Sequence, residues 1–328
     1  MTIYDNHNRP INYVRLAVTD RCNLRCFYCM PEEGIKYLPK KEVLTFEEIE
    51  RLITLLASMG IQKVRLTGGE PFVRHDLMKL LEHIVAIPGI TNVHLTTNGI
   101  LTGPHIPALK ELGISSVNLS LDTLDKQRFI NITRRDEFDA TIKTLHSLIE
   151  HDIPVKINTV VMRDKNIEDI LPLVELTKHQ NIAVRFIEEM PFNGTGREQS
   201  TLHWTHRRIV EHIEQHVPKL IKIQDPQFST SYNYKVAGYA GSIGVIAAFS
   251  RTFCGTCNRI RVTAQGQMKT CLYDEGVLDI KSLMREGQSD NQIKERLLHA
   301  FKHRAKDGFE AETRKTGAMH ESMSTIGG

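Results

Sequence analysis

The sequence predicts an α/β protein, built as a partial TIM-type (βα)6 barrel with a smaller C-terminal α+β extension. Strand-like and helix-like segments alternate six times between Tyr13 and Ile221, where the alternation gives way to short glycine-rich β segments. Such alternation predicts a parallel sheet with outer helices and right-handed crossovers. Six units are too few for a closed eightfold barrel. We therefore expect an open barrel, with a doubly wound sheet as the alternative.

Local patterns predict the elements in chain order. The segment "YVRLAVTD" at 13–20 predicts the first strand, and Thr45 with Glu48 forms a capping-box pattern that begins a helix. Gly60 is typical of the end of that helix. The later strands are predicted at "KVRLTGGEP", "NVHLTTNG", "SVNLSLDT", "PVKINTVV" and "AVRFIEEM". The later helices are predicted at "DLMKLLEHIVAI", "IPALKELG", "FDATIKTLHSLIEHD", "IEDILPLVELTKHQ" and 204–217.

The chain is expected to divide into a barrel domain at 1–225 and an extension at 226–328. In the extension, "RIRVTAQGQMKTCLY" predicts a hairpin that turns at Gln265–Gly266. A helical stretch is expected from about Leu278 to Lys306, before a polar tail that ends in "STIGG". Ligands of such a barrel bind at the C-terminal ends of its strands.

Composition excludes several classes of function. The formal net charge of +3 is too small to indicate nucleic-acid binding by itself. No stretch approaches the roughly 18 apolar residues of a membrane span, and the N-terminal residues do not resemble a signal peptide. We therefore expect a cytoplasmic protein that binds neither nucleic acid nor membranes.

Three of the six cysteines, Cys22, Cys26 and Cys29, follow the first predicted strand with the spacing C-x3-C-x2-C. Clustered cysteines in a reducing cytosol favour metal binding over disulfides. A structural zinc or iron–sulfur site normally has four protein ligands, so three indicate a metal with an open position. Taken alone, this spacing is also compatible with a zinc knuckle.

The other three cysteines, Cys254, Cys257 and Cys271, have the spacing C-x2-C-x13-C in the extension. Spacing alone favours a zinc staple here. A second iron–sulfur site is favoured because no fourth Cys or His lies within reach of the hairpin and because the first site already implies cluster assembly. In addition, Arg259 and Arg261 alternate onto one face of the adjoining strand.

The segments "CNLRCFYC", with Tyr28 before the last cysteine, and "GGEP" at 68–71 resemble the two motifs of radical S-adenosylmethionine (SAM) enzymes. The resemblance implies a 4Fe-4S cluster whose open iron is chelated by the methionine moiety of SAM. One electron from that cluster would cleave SAM and release a 5′-deoxyadenosyl radical. The missing fourth ligand is then the cofactor.

Nearly the whole chain is similar to the GTP 3′,8-cyclase family, the radical SAM enzymes that open molybdenum cofactor (molybdopterin) biosynthesis. The shared segments are "RLAVTDRCNLRCFYCMP", "VRLTGGEP", "LTTNG", "VNLSLDTL", "FCGTCNRIRVTAQGQMKTCL" and the terminal Gly-Gly. The resemblance implies cyclisation of GTP to (8S)-3′,8-cyclo-7,8-dihydroguanosine 5′-triphosphate, with two 4Fe-4S clusters and SAM as cofactors. The residues alone indicate a two-cluster enzyme for an anionic ligand.

The resemblance also implies individual roles. The SAM contacts would be Tyr28, Gly69, Ser120 and Met190. The GTP contacts would be Arg15, Arg65, Thr96, Lys156, Arg259 and Arg261. Arg and Lys suit phosphate oxygens, and inward-facing cations of a barrel require a counter-charge. Gly327 and Gly328 would reach into the cavity and support the reaction, with no side chain acting as acid or base.

Two other classes of protein fit parts of this pattern. A peptide-modifying radical SAM enzyme with an auxiliary cluster would usually carry more C-terminal cysteines. A metal-sensing or electron-transfer module would not require so large a barrel. The resemblance to the cyclase family further implies an external one-electron reductant and a downstream functional partner, cyclic pyranopterin monophosphate synthase. The chain is expected to act as a monomer or a homodimer. Glu188 and Glu189 receive no predicted role.

Overall fold

The computed structural model describes residues 2–192, 202–315 and 322–327. The strands are β1 (Ile3–Tyr4), β2 (Pro10–Ile11), β3 (Tyr13–Ala17), β4 (Lys63–Thr67), β5 (Asn92–Thr97), β6 (Ser116–Ser120), β7 (Val155–Val161), β8 (Ala183–Glu188), β9 (Leu220–Lys222), β10 (Ser231–Val236), β11 (Ser242–Ile246), β12 (Arg259–Val262), β13 (Gln267–Lys269) and β14 (Leu278–Asp279). The helices are α1 (Phe46–Ser58), α2 (Leu77–Ala86), α3 (Ile106–Glu111), α4 (Lys126–Thr133), α5 (Phe138–Glu150), α6 (Ile170–Glu175), α7 (His206–Glu214), α8 (Ile280–Arg285), α9 (Asp290–Phe301), α10 (Gly308–Thr313) and α11 (Met323–Ile326).

Strands β3 to β8 form the centre of one large sheet, in the same order as in the chain and all parallel. A doubly wound sheet would reverse its strand order at a switch point, and this sheet does not. The predicted α/β fold with a partial (βα)6 barrel is therefore confirmed. None of the described helices is long and apolar enough to cross a bilayer.

The extension continues this sheet at both of its edges. Strand β11 pairs in parallel with β8, and β12 pairs in parallel with β3. The antiparallel strands β10 and β9 lie beyond β11, and β13 and β14 lie beyond β12. Residues distant in the chain thereby flank the barrel strands on both sides, which brings the second cysteine motif next to the first strand.

Helix α1 shows how local sequence determines an element. The Thr45 hydroxyl accepts a hydrogen bond from Glu48 N at 3.2 Å, and the Glu48 carboxylate accepts one from Thr45 N at 2.8 Å. The predicted capping box is thus present, and Gly60 follows the helix with a φ of +103°. The buried side chains of α1, which pack into the core beside the sheet, include Ile49, Leu52 and Ile53.

The structure corrects the prediction in two helical regions. The stretch expected from Leu278 to Lys306 is divided into α8 and α9, because Gly287 adopts a φ of +79° and Ser289 begins a new capping box with Gln292. Helix α4 was not predicted, although Asp125 caps it by accepting a hydrogen bond from Arg128 N. The hairpin turn at Gly266 is as predicted, with a φ of +82°.

Candidate active site

A cavity of about 440 Å³ runs along the inner face of the barrel strands. Residues from both ends of β4, Lys63 and Thr67, line it, so the cavity follows the length of the strands. Its lining is thiol-rich in the loop that follows β3 and strongly basic along β3, β4 and β12. These two regions correspond to the two parts of the site expected from the sequence.

The loop after β3 presents Cys22, Cys26 and Cys29 to this cavity. The loop is folded on itself, since Cys29 N donates to Cys26 O at 2.9 Å, and it is tied to α4 by a hydrogen bond from Arg25 N to Thr133 O at 2.9 Å. Burial raises the pKa of Cys22 to about 12 and that of Cys29 to about 11, and raises that of Cys26 well above its usual value. Three buried thiols become thiolates only with a cationic partner, which an iron–sulfur cluster provides.

The "GGEP" segment packs directly against the cysteine loop. Gly69 N donates to Thr19 O at 2.9 Å, and Glu70 N donates to Arg21 O at 2.8 Å. A Cβ atom on Gly68 would lie 2.5 Å from Thr19 O, and one on Gly69 would overlap the Arg21 carbonyl. Both glycines are therefore required by a close approach of two backbones, and Gly69 also lines the cavity.

Replacing Gly69 with alanine is expected to displace the cysteine loop, because the new Cβ meets backbone atoms that cannot rotate away. We expect iron at the first site and SAM cleavage to fall by about tenfold or more, and for the cleavage rate this corresponds to roughly 1.4 kcal/mol or above. Iron analysis and SAM turnover of the reconstituted protein would measure this. Gly103→Ala is the control, since its Cβ would meet the Thr144 hydroxyl, a rotatable side chain. Normal iron and turnover in Gly69→Ala would contradict the argument.

The basic part of the cavity is organised by strand register. Arg261, Arg15 and Arg65 lie side by side on β12, β3 and β4. The row two residues earlier on the same strands consists of Arg259, Tyr13 and Lys63. Alternate residues of a strand share one face, so both rows face the cavity, which all six side chains line.

Lys156 on β7 and Arg185 on β8 extend the basic lining across the barrel. Burial and the nearby Arg185 lower the pKa of Lys156 to about 8, and burial together with Arg65 lowers that of Arg185 to about 10. These shifts arise because cations are crowded together out of water, where each disfavours the charge of the next. An anionic ligand would relieve this repulsion.

Several buried polar atoms of the cavity lining lack a hydrogen-bond partner within the described residues. They are Nη2 of Arg259 and the side-chain oxygens of Asn118 and Asn158. Buried polar groups of this kind are normally satisfied, and leaving one unsatisfied is costly. The cavity lining therefore offers both a donor and acceptors to a polar ligand. A nucleotide, with its base, sugar and phosphates, has the groups to bond with both.

The second cysteine set borders a smaller cavity of about 70 Å³, lined by Cys254, Cys257 and Cys271. Arg259 and Arg261 line both cavities, so the two adjoin. Burial raises the pKa of Cys271 to about 11. Burial also opposes ionisation of Cys257, but the nearby arginines outweigh it and lower its pKa to about 6.

No three His, Cys, Asp or Glu side chains within residues 2–192, 202–315 and 322–327 converge closely enough to hold a single metal ion. The fit of each cysteine set to a cluster therefore rests on its three thiols, which share one cavity. At the second site it rests also on the arginines close to Cys257. Thiolate ligands with an open fourth position suit an iron–sulfur cluster that binds a further ligand.

The C-terminal segment lies between the two cysteine sets. The Gly327 carbonyl accepts a hydrogen bond from Arg261 Nη1 at 2.6 Å, and the Ser322 hydroxyl donates to Cys29 O at 2.6 Å. Gly327 adopts a φ of +75°, and a Cβ there would lie 3.1 Å from Thr67 Cγ2. The tail thus enters the barrel as far as Gly327, while Gly328 lies outside the described residues.

The structure brings the predicted contact residues together at one cavity. The four predicted SAM contacts that line the main cavity are Tyr28, Gly69, Ser120 and Met190. The six predicted GTP contacts that line it are Arg15, Arg65, Thr96, Lys156, Arg259 and Arg261. The Tyr28 hydroxyl donates to the Asp122 carboxylate at 2.7 Å, which fixes its ring beside the first cysteine set.

Sequence reasoning missed other residues of this lining, among them Tyr13, Lys63 and Arg185. The signal was available, because Lys63 precedes Arg65 by two positions and Tyr13 precedes Arg15 by two, so each pair shares a strand face. Arg65 Nε donates to the Tyr13 hydroxyl at 2.8 Å. Burial works against ionisation of Tyr13, but Arg65 and Arg15 outweigh it and lower its pKa to about 7.

Glu188, for which the sequence predicted no role, is a buried structural acceptor. Its carboxylate accepts hydrogen bonds from His206 N at 2.7 Å, Ser250 N at 2.7 Å and Phe249 N at 3.0 Å. It therefore joins the end of β8 to α7 and to the loop after β11. Both of its carboxylate oxygens are engaged there by hydrogen-bond donors.

Two family profiles match the chain: the radical SAM superfamily at residues 16–177 and Molybdenum Cofactor Synthesis C at 182–309. The crystal structure of Streptococcus suis SuiB bound to S-adenosylmethionine has the same fold, with a TM-score of 0.60 at 17% identity, covering 88% of this chain and 69% of that one. The barrel and its first cysteine loop thus define a radical SAM enzyme. Proteins of this superfamily bind a 4Fe-4S cluster and SAM.

Curated relatives place the chain more narrowly. It is 39% identical over 337 residues to the GTP 3′,8-cyclase of Syntrophomonas wolfei, covering 99% of each chain. It is 38% identical over 292 residues to the molybdenum cofactor biosynthesis protein moc-5 of Caenorhabditis elegans, covering 89% of this chain and 49% of that protein. The chain thus spans about half the length of the nematode relative. It belongs to the GTP 3′,8-cyclase family, whose members carry a second cluster.

Proposed function

We propose that this chain cyclises GTP to (8S)-3′,8-cyclo-7,8-dihydroguanosine 5′-triphosphate, the first step of molybdenum cofactor biosynthesis. The observation that carries the proposal is a single cavity that has a three-cysteine loop on one side and a basic lining on the other, with a second three-cysteine site adjoining that lining. Such a cavity accommodates an anionic substrate between two clusters. Relatives at 39% identity over most of the chain that carry the cyclase name support the same reaction.

The first half of the site would hold the cofactors. Cys22, Cys26 and Cys29 would ligate the first 4Fe-4S cluster. Tyr28, Gly69, Ser120 and Met190, which line the adjoining wall, would contact SAM. When bound, this cluster and SAM supply the one-electron chemistry that removes a hydrogen atom from the substrate. The chain itself encloses the reacting groups and keeps water away from them.

The second half of the site would hold the substrate. Cys254, Cys257 and Cys271 would ligate the second cluster, whose open iron would take the guanine base. The triphosphate would lie along the cations of the barrel face, where guanidinium groups bind phosphate oxygens as bidentate forks. The residues proposed as GTP contacts are Arg15, Arg65, Thr96, Lys156, Arg259 and Arg261. Lys63 and Arg185 line the same face and would add to the binding of the phosphates.

A peptide-modifying radical SAM enzyme with an auxiliary cluster is the alternative. Its substrate would be long and would not require seven basic side chains to line the reaction cavity. Those side chains are Arg15, Lys63, Arg65, Lys156, Arg185, Arg259 and Arg261. The likeness to SuiB, at 17% identity, extends to the fold alone. A compact polyanion fits this lining better than a peptide does.

The proposal predicts that binding depends on the triphosphate. GTP should bind at least about 100-fold more tightly than GMP, because each charge-assisted phosphate contact contributes about 1.5–3 kcal/mol. Equilibrium binding of both nucleotides to the anaerobically reconstituted enzyme would measure the ratio. Product analysis with SAM and a reductant should then yield the cyclised nucleotide from GTP. Equal affinities, or SAM cleavage that does not depend on GTP, would contradict the proposed substrate.

The domain division, the partners and the cellular location are proposed from the same resemblance to the cyclase family. Residues 1–225 would form the SAM-binding barrel and residues 226–328 the auxiliary-cluster domain with its tail. An external one-electron reductant would supply electrons to the clusters, and the product would pass to cyclic pyranopterin monophosphate synthase. The enzyme would act in the cytoplasm, where thiols remain reduced, as a monomer or homodimer without nucleic acid or membrane partners.

A further inference from the structure

Two buried arginines contact the second cysteine motif from outside the substrate cavity. Arg304, which is 2% exposed, donates Nη1 to the Cys257 carbonyl at 2.9 Å and Nη2 to the Cys257 sulfur at 3.2 Å. Arg9, from the N-terminal hairpin β1–β2, donates Nη1 to the Cys254 carbonyl at 3.0 Å. Both cysteines of the C-x2-C motif are therefore held by an arginine.

One carboxylate connects these two arginines. The Asp5 side chain is fully buried, and its Oδ2 lies 2.7 Å from Arg9 Nε and 3.4 Å from Arg304 Nη1. Its Oδ1 accepts hydrogen bonds from the backbone N–H groups of His7 and Arg9, each at 2.9 Å. The carboxylate thus uses both oxygens, and the N-terminal turn is fixed around it.

The remaining donors of the arginines fix the surrounding backbone. Arg304 Nε donates to Thr270 O at 2.9 Å, next to Cys271, and its Nη2 also donates to Arg259 O at 2.8 Å. Arg9 Nη2 donates to Ala305 O at 2.8 Å. Arg304 thereby contacts the backbone at or beside Cys257 and Cys271, which are otherwise separated by the hairpin.

We propose that Asp5, Arg9 and Arg304 are positioning residues that set the ligand geometry of the second cluster, and that the Arg304 N–H···S bond raises its reduction potential. The inference rests on the proposed cluster at Cys254, Cys257 and Cys271. Hydrogen bonds to the cluster sulfurs are among the factors that set such potentials. A donor and a positive charge beside a thiolate ligand stabilise the reduced, more negative cluster. A buried Asp–Arg pair is by itself weak evidence for stability, so a role at the adjacent site accounts for it better.

The test compares Arg304→Met, Arg304→Lys and Asp5→Asn with the wild-type holoenzyme. The second cluster's EPR signal is identified as the one that Cys271→Ala lacks, and its midpoint potential is measured by redox titration. We expect a shift to more negative potential in Arg304→Met and a smaller shift in Arg304→Lys, which keeps the charge without the planar fork. The first cluster's potential should not move. Arg285→Met is the matched control, because Arg285 also contacts a carboxylate and the carbonyls of Lys41 and Val43.

The outcomes separate this inference from the proposed function. An iron content of about four per wild-type chain would show that the second cluster is absent. That result would overturn both this inference and the proposed function. Two clusters in the wild type, with an unchanged second potential in iron-replete Arg304→Met and Arg304→Lys, would overturn the potential-setting role alone. Selective loss of the second cluster from the Arg304 and Asp5 variants, with the first intact, supports the positioning role. Full iron and an unchanged EPR line shape in Asp5→Asn would overturn that role.

Discussion

Replacing Cys257 with alanine is expected to abolish formation of the cyclised nucleotide while SAM cleavage continues at a reduced rate. Replacing Cys26 should abolish both. The difference follows from the structure, because Cys26 lines the cavity with the proposed SAM contacts, whereas Cys257 borders the smaller cavity behind Arg259 and Arg261. Losing one thiolate of three leaves a cluster without enough ligands to persist. We expect each product yield to fall by about three orders of magnitude or more, toward the uncatalysed background.

Iron analysis accompanies these measurements. The wild-type chain should hold about eight irons if both sites are four-iron cubanes, and each variant about four. The two variants serve as controls for each other, since each retains one complete cysteine set. One zinc and four irons in the wild type would show that the second site is a structural zinc staple. Product formation by Cys257→Ala at the wild-type rate would also exclude the proposed second cluster.

Deleting Gly327 and Gly328 is expected to leave iron content and GTP affinity near normal while product formation falls by about 100-fold or more. The deletion removes the carbonyl that Arg261 Nη1 contacts at 2.6 Å, so this guanidinium loses the partner that orients it for the reaction. The other five proposed GTP contacts remain in place, and they are expected to keep the affinity near normal. A loss of this size corresponds to about 2.7 kcal/mol of transition-state stabilisation. Single-turnover analysis with saturating GTP would separate the chemical step from binding.

The control for the deletion is Thr325→Ala. The Thr325 hydroxyl bonds within its own turn, to Ser322 O at 2.8 Å, and this variant should cyclise GTP at a rate close to that of the full-length chain. Full activity of the truncated enzyme would show that the tail contributes to packing alone and has no role in the reaction. A truncated enzyme with normal chemistry but weak GTP binding would instead make the tail part of the binding site.

The sequence was sufficient for the barrel, and it singled out the two cysteine sets that the structure places beside the two cavities. Periodicity and caps predicted the central strands and α1, because those elements depend on residues close in the chain. The cysteine spacings likewise depend on local geometry. The same period-2 rule would have identified Lys63 beside Arg65, so that residue was overlooked rather than beyond prediction.

Other features depend on contacts between distant segments, which periodicity does not encode. The pairing of β12 with β3 places Arg261 beside Arg15, and nothing local to either strand specifies that partner. The same holds for the Asp5 carboxylate shared by Arg9 and Arg304, whose members lie at opposite ends of the chain. The contact of Gly327 with Arg261 was expected only in outline, from the resemblance of the tail.

The pairing of β12 with β3 has a consequence for how the protein is made. Asn258 Nδ2 donates to Asn12 Oδ1 at 2.6 Å across 246 positions of the chain. Of the two strands that flank β3, β4 is synthesised soon after it and β12 near the end of the chain. At about 5–20 residues per second, Cys254 leaves the ribosome roughly 10–45 seconds after Cys29. Contacts of such long range also form slowly. The nascent chain therefore presents a complete first cysteine loop well before Arg259, Arg261 and the second cysteine set are synthesised, and we expect iron delivery during translation to favour the first site.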